Sequence, residues 1–173
     1  MGQVGHIEVH VAVVIEVAEI SAVAMSAGPL GVAAAVAVVP AISDAQNFGT
    51  VSLNTGFQPD PRMMSGTSGG GTDASNFGSG CRGYVTPQPD HYLFLNTAFT
   101  WLRVFVRSDG DTTMVVRGPF PAMNTRCNDD RFGLNPAIEG NWAQGQYHIW
   151  VGSYSSEHNY DYEIGFTTQQ AVH

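Results

Sequence analysis

GDTTMVVRGP (residues 110–119), CNDDRFGLNP (127–136) and GQYHIWVGSY (145–154) are the blocks whose reading decides the fold. The first is an acidic residue leading into an apolar run, and the second is a carboxylate-rich loop closed by Gly133, Asn135 and Pro136. In the third, Tyr147, Ile149, Val151 and Ser153 fall on one side of a strand and His148, Trp150, Gly152 and Tyr154 on the other, because successive strand side chains point to opposite faces. The first set is the expected core face. A strand over 112–118 that pairs with one ending at Cys127, through a turn at 119–124, brings Asp111 and Asn128, Asp129 and Asp130 to one end of a hairpin.

Outward from this region the same pattern repeats. HYLFLN (91–96), FTWLRVFVRS (99–108), PAIEGNW (136–142) and YDYEIGFTT (160–168) are short strand-like runs separated by turn signals. Regular spacing of this kind predicts an all-β protein, here a single antiparallel, jelly-roll-like β-sandwich. In FTWLRVFVRS the aliphatic face of Leu102, Val104 and Val106 is expected inward, opposite Trp101, Arg103, Phe105 and Arg107. FGTVSLNTGF (48–57) opens the domain with a short strand, and the Gly-, Ser- and Pro-rich run 59–80 predicts an irregular surface excursion. No helical periodicity persists after Asn47.

The chain has 173 residues, enough for one domain and an extra segment, and a formal charge of -8. Its seven basic residues are all Arg and are scattered, so it lacks the basic cluster that phosphate backbones require, and nucleic acid is excluded as a partner. An acidic surface gathers divalent cations instead. Cys81 and Cys127 are an even count without a CxxC signature; they predict a disulfide, with two separate buried thiols as the alternative.

Residues 1–45 form an apolar N-terminal segment ahead of a β-sandwich domain at 46–173. Residues 27–42 resemble the apolar region of a secretory signal, with Ser43 and Ala45 as small residues before a cleavage point at Gln46. Upstream, Ile7, Val9, Val11, Val13, Ile15 and Val17 alternate with more polar positions, a strand pattern that strand addition to a neighbouring subunit would use if the segment is retained. Glu16 and Glu19, then Gly28, Pro29, Gly31 and Pro40, interrupt any clean membrane span.

Asp109, Asp111, Asn128, Asp129 and Asp130 are the candidate metal ligands, since Ca²⁺ takes six to eight oxygens from such acidic turns. The same side chains can instead cap turns by accepting backbone N–H groups. Gly66, Ser68 and Gly70 satisfy GxSxG, but a nucleophile elbow needs a helix after the Ser, and GGTDASNFG cannot form one. His6, Glu8 and His10 would share one strand face, a weak arrangement for Zn²⁺. Trp150 and Tyr154 are the candidate ligand-facing aromatics, with core filling as the alternative.

Taken in order, GDTTMVVRGP, CNDD, GLNP, the Gly-initiated strand ending in VGSY and the final YDYEIGF resemble the bacterial pre-peptidase C-terminal domain family. The resemblance covers roughly residues 47–168. It implies a small secreted β-sandwich with a binding, solubilising or targeting role and no catalysis of its own. The expected function is therefore a non-enzymatic extracellular binding module, calcium-stabilised, whose partner is a polysaccharide or protein at the cell surface. The alternative expectation is self-association: a structural subunit of an extracellular filament or surface assembly, linked through residues 1–45.

Overall fold

The computed structural model describes residues 47–173, which lie within one compact unit, Ile42–His173. The signal-like run, the alternating strand pattern and the His6, Glu8 and His10 trio lie outside the described residues. Eleven strands are present among those described: β1 (Gly49–Leu53), β2 (Arg62–Thr67), β3 (Thr72–Asp73), β4 (Tyr84–Val85), β5 (His91–Leu95), β6 (Phe99–Ser108), β7 (Thr112–Arg117), β8 (Thr125–Asn128), β9 (Ala137–Trp142), β10 (Gly145–Ser153) and β11 (Asp161–Thr167). One 3₁₀ turn spans Ala74–Phe77.

Two sheets form the sandwich. In the larger, β10 is the hub and pairs with β5, β7 and β4; β1 extends it beyond β5, β8 beyond β7 and β3 beyond β4. The smaller has the order β2-β11-β6-β9. The expected inward faces meet between them: Leu102, Val104 and Val106 of β6 pack with Tyr147, Ile149 and Val151 of β10, Val51 of β1 and Phe166 of β11. Trp142 closes one end of this core, its Nε1 donating to the Leu102 carbonyl at 2.9 Å.

Three features depart from the sequence reading. β1 runs parallel to β5, Gly49 opposite His91, so the larger sheet is not wholly antiparallel. The chain leaves β1 for β2 in the other sheet and reaches β5 only after β3 and β4 have joined the larger sheet, a long connection that permits parallel pairing. The run 59–80 is not all irregular: RMMSGT forms β2 and pairs with β11, Ser65 opposite Glu163. Finally, Phe105 on the outer side of β6 and Trp150 on the outer side of β10 are both buried, because further parts of the chain cover these faces.

Candidate functional site

One corner of the larger sheet gathers most of the residues singled out from the sequence. Cys81 and Cys127 form the predicted disulfide, with Cα atoms 5.1 Å apart, and join the 74–83 excursion to β8. Underneath, Trp150 is 5% exposed and packs on Phe77, ring centroids 4.8 Å apart, in a second small core with Ala74, Val85 and Val115. Trp150 is therefore not a ligand-facing platform; the excursion folds over it. Gly83, at φ 81°, fits tightly here, since a Cβ would stand 2.5 Å from the Ser153 carbonyl oxygen.

Tyr154 is 49% exposed and stands at the rim of a shallow cavity of about 310 Å³ lined also by Asp73, Ser75, Arg82 and Tyr84. Its backbone N–H donates to the Asp111 carbonyl at 3.0 Å, which fixes the end of β10 against the start of β7. Asp73 caps the 3₁₀ turn by accepting from Ser75 N at 2.8 Å. Hydrogen bonding from Ser75 holds its carboxyl below the ordinary value.

The β7–β8 hairpin forms as expected, with Met114 opposite Asn128, and places Asp111 near Asp129 and Asp130. Burial, followed by the charges of Asp130 and Asp129, pushes the Asp111 carboxyl up, and its Oδ1 is buried without a hydrogen-bond partner. The five candidate ligands do not converge as one cage, however. Asn128 Oδ1 accepts from Ala137 N at 2.9 Å, and Asp129 lies 3.9 Å from Arg82 Nε. Asp109 faces a different surface, an open trough on the smaller sheet that it shares with Thr67, Arg107, Asp161 and Glu163. Among the described residues no group of three or more His, Cys, Asp or Glu side chains is arranged to hold a metal ion.

Ser68 of the GxSxG run is 3% exposed, in contact with Ser153 Oγ at 2.8 Å, and it accepts from Tyr160 N at 3.0 Å. The buried histidine nearby in sequence order, His91, is bonded instead to the Tyr162 hydroxyl at 2.8 Å. Ser68 is thus a bridge between chain segments, and among the described residues its hydroxyl is bonded to Ser153 and Tyr160, not to a histidine base of the kind that activates a nucleophile. The full chain should remain unlabelled by a fluorophosphonate probe, read by intact mass; a single adduct on Ser68 would overturn this.

Sequence reasoning missed Asp73, Arg82 and Tyr84, because the excursion that carries them has no periodicity, and only Cys81 hinted that it is pinned to the sheet. It also missed Phe120, 61% exposed at the opposite end of the β7–β8 hairpin, although its flanking Pro119 and Pro121 mark a turn. That turn is closed by Gly118 N to Asn124 O at 2.9 Å and Phe120 N to Gln146 O at 2.8 Å.

Among solved structures, the chain is similar to the pre-peptidase C-terminal domain of a collagenase from Bacillus anthracis, with 14% identity over 68% of this chain and 94% of that one and a TM-score of 0.44. It is also similar to PliG from Aeromonas hydrophila, a periplasmic inhibitor of g-type lysozyme, with 13% identity over 72% of this chain and 100% of that one and a TM-score of 0.39. No protein-family model matches the chain, and no curated protein matches it. No helix among the described residues is long and apolar enough to cross a membrane. The disulfide is of the kind that persists in oxidising compartments such as the periplasm or the cell exterior.

Proposed function

We propose that this protein is a secreted, non-catalytic binding module that recognises a polysaccharide at the cell surface through the stapled corner around Tyr154. The observation that carries this reading is the half-exposed Tyr154 ring beside Asp73, Ser75, Arg82 and Tyr84, fixed from below by the disulfide and the Trp150 cluster. An aromatic ring supplies a flat apolar surface for one face of a sugar, while the carboxylate, hydroxyl and guanidinium groups supply directional bonds to its hydroxyls. Because the backbone is already ordered, little entropy is lost on binding. In sedimentation with cellulose, chitin and isolated bacterial cell wall, the full chain should be retained on at least one. Tyr154→Ala should cut that retention about tenfold, the equivalent of ~1.4 kcal/mol.

A second reading is favoured by Phe120, the most exposed large apolar residue among those described. Held out on a hydrogen-bonded turn, it has the character of an aromatic anchor for a protein partner. Retention that is lost in Phe120→Ala and kept in Tyr154→Ala would select that reading.

Calcium belongs to the same proposal in a reduced form. A divalent cation near Asp111, Asp129 and Asp130 would offset the burial, and the lesser repulsion from Asp130 and Asp129, that lift Asp111, as a weakly held ion with millimolar affinity. Calcium at several millimolar should raise the melting temperature by a few degrees, and by less in Asp129→Ala; an unchanged wild-type melting curve would exclude the ion.

A further inference from the structure

The outer side of β6 should present Trp101, Arg103, Phe105 and Arg107 to solvent, yet Arg103 is only 6% exposed and Phe105 is fully buried. Residues 169–173 lie across this face, and the contacts they make follow a rule. Arg103 Nη1 donates to the main-chain oxygens of Gln170 at 2.9 Å and Val172 at 2.7 Å. Four residues along the same strand, Arg107 donates through Nε to the main-chain oxygen of His173 at 2.9 Å, and through Nη2 to the same atom. The two guanidinium groups thus read backbone and ignore side-chain identity along the tail.

The groove is built rather than improvised. The Arg103 guanidinium is held over the rings of Trp101 and Phe132, at 5.1 and 5.0 Å from their centroids, and its Nε donates to Glu139 Oε2 at 2.7 Å. Glu139 also pairs with Arg131 at 2.7 Å, and these two arginines hold its carboxyl below the ordinary range. Phe132 is the one platform for a side chain: the His173 ring stacks on it at 4.1 Å and 17°. Beside His173 a cavity of about 290 Å³, lined by Val106, Arg107, Ser108, Phe132 and Asn135, lies open next to the groove.

The tail enters the groove from a fixed point. Asp60 accepts from the Thr167 hydroxyl at 2.6 Å and from Thr168 N at 3.1 Å, and the Gln169 side chain donates to the Asp60 carbonyl at 2.6 Å. Up to Gln169 the chain is anchored through Asp60, whereas beyond it the two arginines and Phe132 hold the tail against the domain.

We propose that this face of the smaller sheet is a polypeptide-binding groove, which residues 169–173 fill in cis as a turn closed by Val172 N donating to the Gln169 carbonyl at 3.1 Å, and which accepts in trans a peptide segment that makes the same turn and carries a flat side chain over Phe132. Recognition runs through Arg103 and Arg107 to main-chain oxygens, so the tail acts as a built-in competitor whose tethering gives it a high effective concentration. The site is separate from the Tyr154 corner and does not depend on it.

The probe is a fluorescein-labelled peptide of residues 168–173, followed by fluorescence anisotropy. A chain stopped after Thr168 should bind it at least about tenfold more tightly than the full chain, the gain expected when a tethered competitor is removed. Adding Arg107→Ala should reverse that gain. If the shortened chain shows no melting transition, the full chain carrying Gln169→Ala and His173→Ala replaces it; this variant loses the Gln169 bond to Asp60 and the Phe132 stack but keeps the tail backbone, so a smaller gain is expected, with the same Arg107→Ala control. Either folded variant binding no more tightly than the wild type, or binding that Arg107→Ala leaves unchanged, would overturn the proposal.

Discussion

Asp90→Asn should make the stability of the protein fall more steeply as pH drops from 6.5 to 4. Asp90 is fully buried and accepts from Asn47 Nδ2 at 2.8 Å and Val151 N at 2.7 Å. Burial pushes its carboxyl from 3.8 up to about 6, and burial pushes the adjacent His91 from 6.5 down to about 4. The signs oppose each other. A carboxyl raised in the folded state contributes stability that is fully present below 3.8 and is lost as pH rises through about 6. An imidazole lowered in the folded state contributes stability that is present above 6.5 and is lost as pH falls through about 4.

Between about 4 and 6 the Asp90–His91 pair holds one proton in the native state, on Asp90, and one in the unfolded chain, on His91, so this pair favours neither state as pH changes. Removing the Asp90 titration leaves the His91 slope unopposed, about 3 kcal/mol over the two to two and a half pH units in which it titrates. Measured as the difference between the two melting curves, the variant should lose about 10 °C relative to the wild type between pH 6.5 and 4.5. A constant offset across that range would show that the pair is not coupled to folding in this way. The offset itself should be about 1–3 kcal/mol, since asparagine has one acceptor oxygen for donors that approach Asp90 from two sides.

Loss of the disulfide is the second large effect. Cys81 and Cys127 are 46 residues apart, and opening that loop favours the unfolded chain by roughly 4 kcal/mol on the chain-entropy model. The Cys81→Ser, Cys127→Ser double variant should melt well over 10 °C lower than the oxidised wild type, by order of magnitude. It should also show Trp150 emission shifted to the red, because the cover over that ring is the excursion the bridge holds down. Equal melting temperatures for oxidised and reduced wild type would contradict the role given to the bridge.

How legible these features were in the sequence depends on whether one layer or two lies over a strand. Alternation correctly placed Tyr147, Ile149 and Val151 of β10 and Leu102, Val104 and Val106 of β6 in the core, because a sheet face packed on a sheet has period two. The same alternation placed Trp150 and Phe105 on the faces opposite the sandwich core, without showing what covers them. Trp150 is covered by the 74–83 excursion, and Phe105 has Arg107 laid over its ring, itself bonded to the 169–173 tail. Neither covering segment has periodicity, so no local pattern revealed them. β2 was missed for a related reason: RMMSGT is an edge strand with small residues and weak alternation, and its pairing with β11 is specified by tertiary contact.

The site divides in the same way. The hairpin register followed from its two strands and brought Asp111 to Asp129 and Asp130, whereas Asp109 turned to another surface beyond the strand end. Tyr154 was legible as a candidate exposed aromatic; its neighbours Asp73, Arg82 and Tyr84 arrive through the disulfide from 70 to 81 residues earlier in the chain.

Whether the Tyr154 corner is a recognition surface is tested most directly by chemical-shift mapping of the full chain with cello-, chito- and manno-oligosaccharides. Amide shifts should be confined to residues 73–84 and 153–154 with at least one of these sugars, and should be lost in Tyr154→Ala. Shifts centred on the 118–124 turn, or none with any of the three at millimolar concentration, would contradict recognition at this corner.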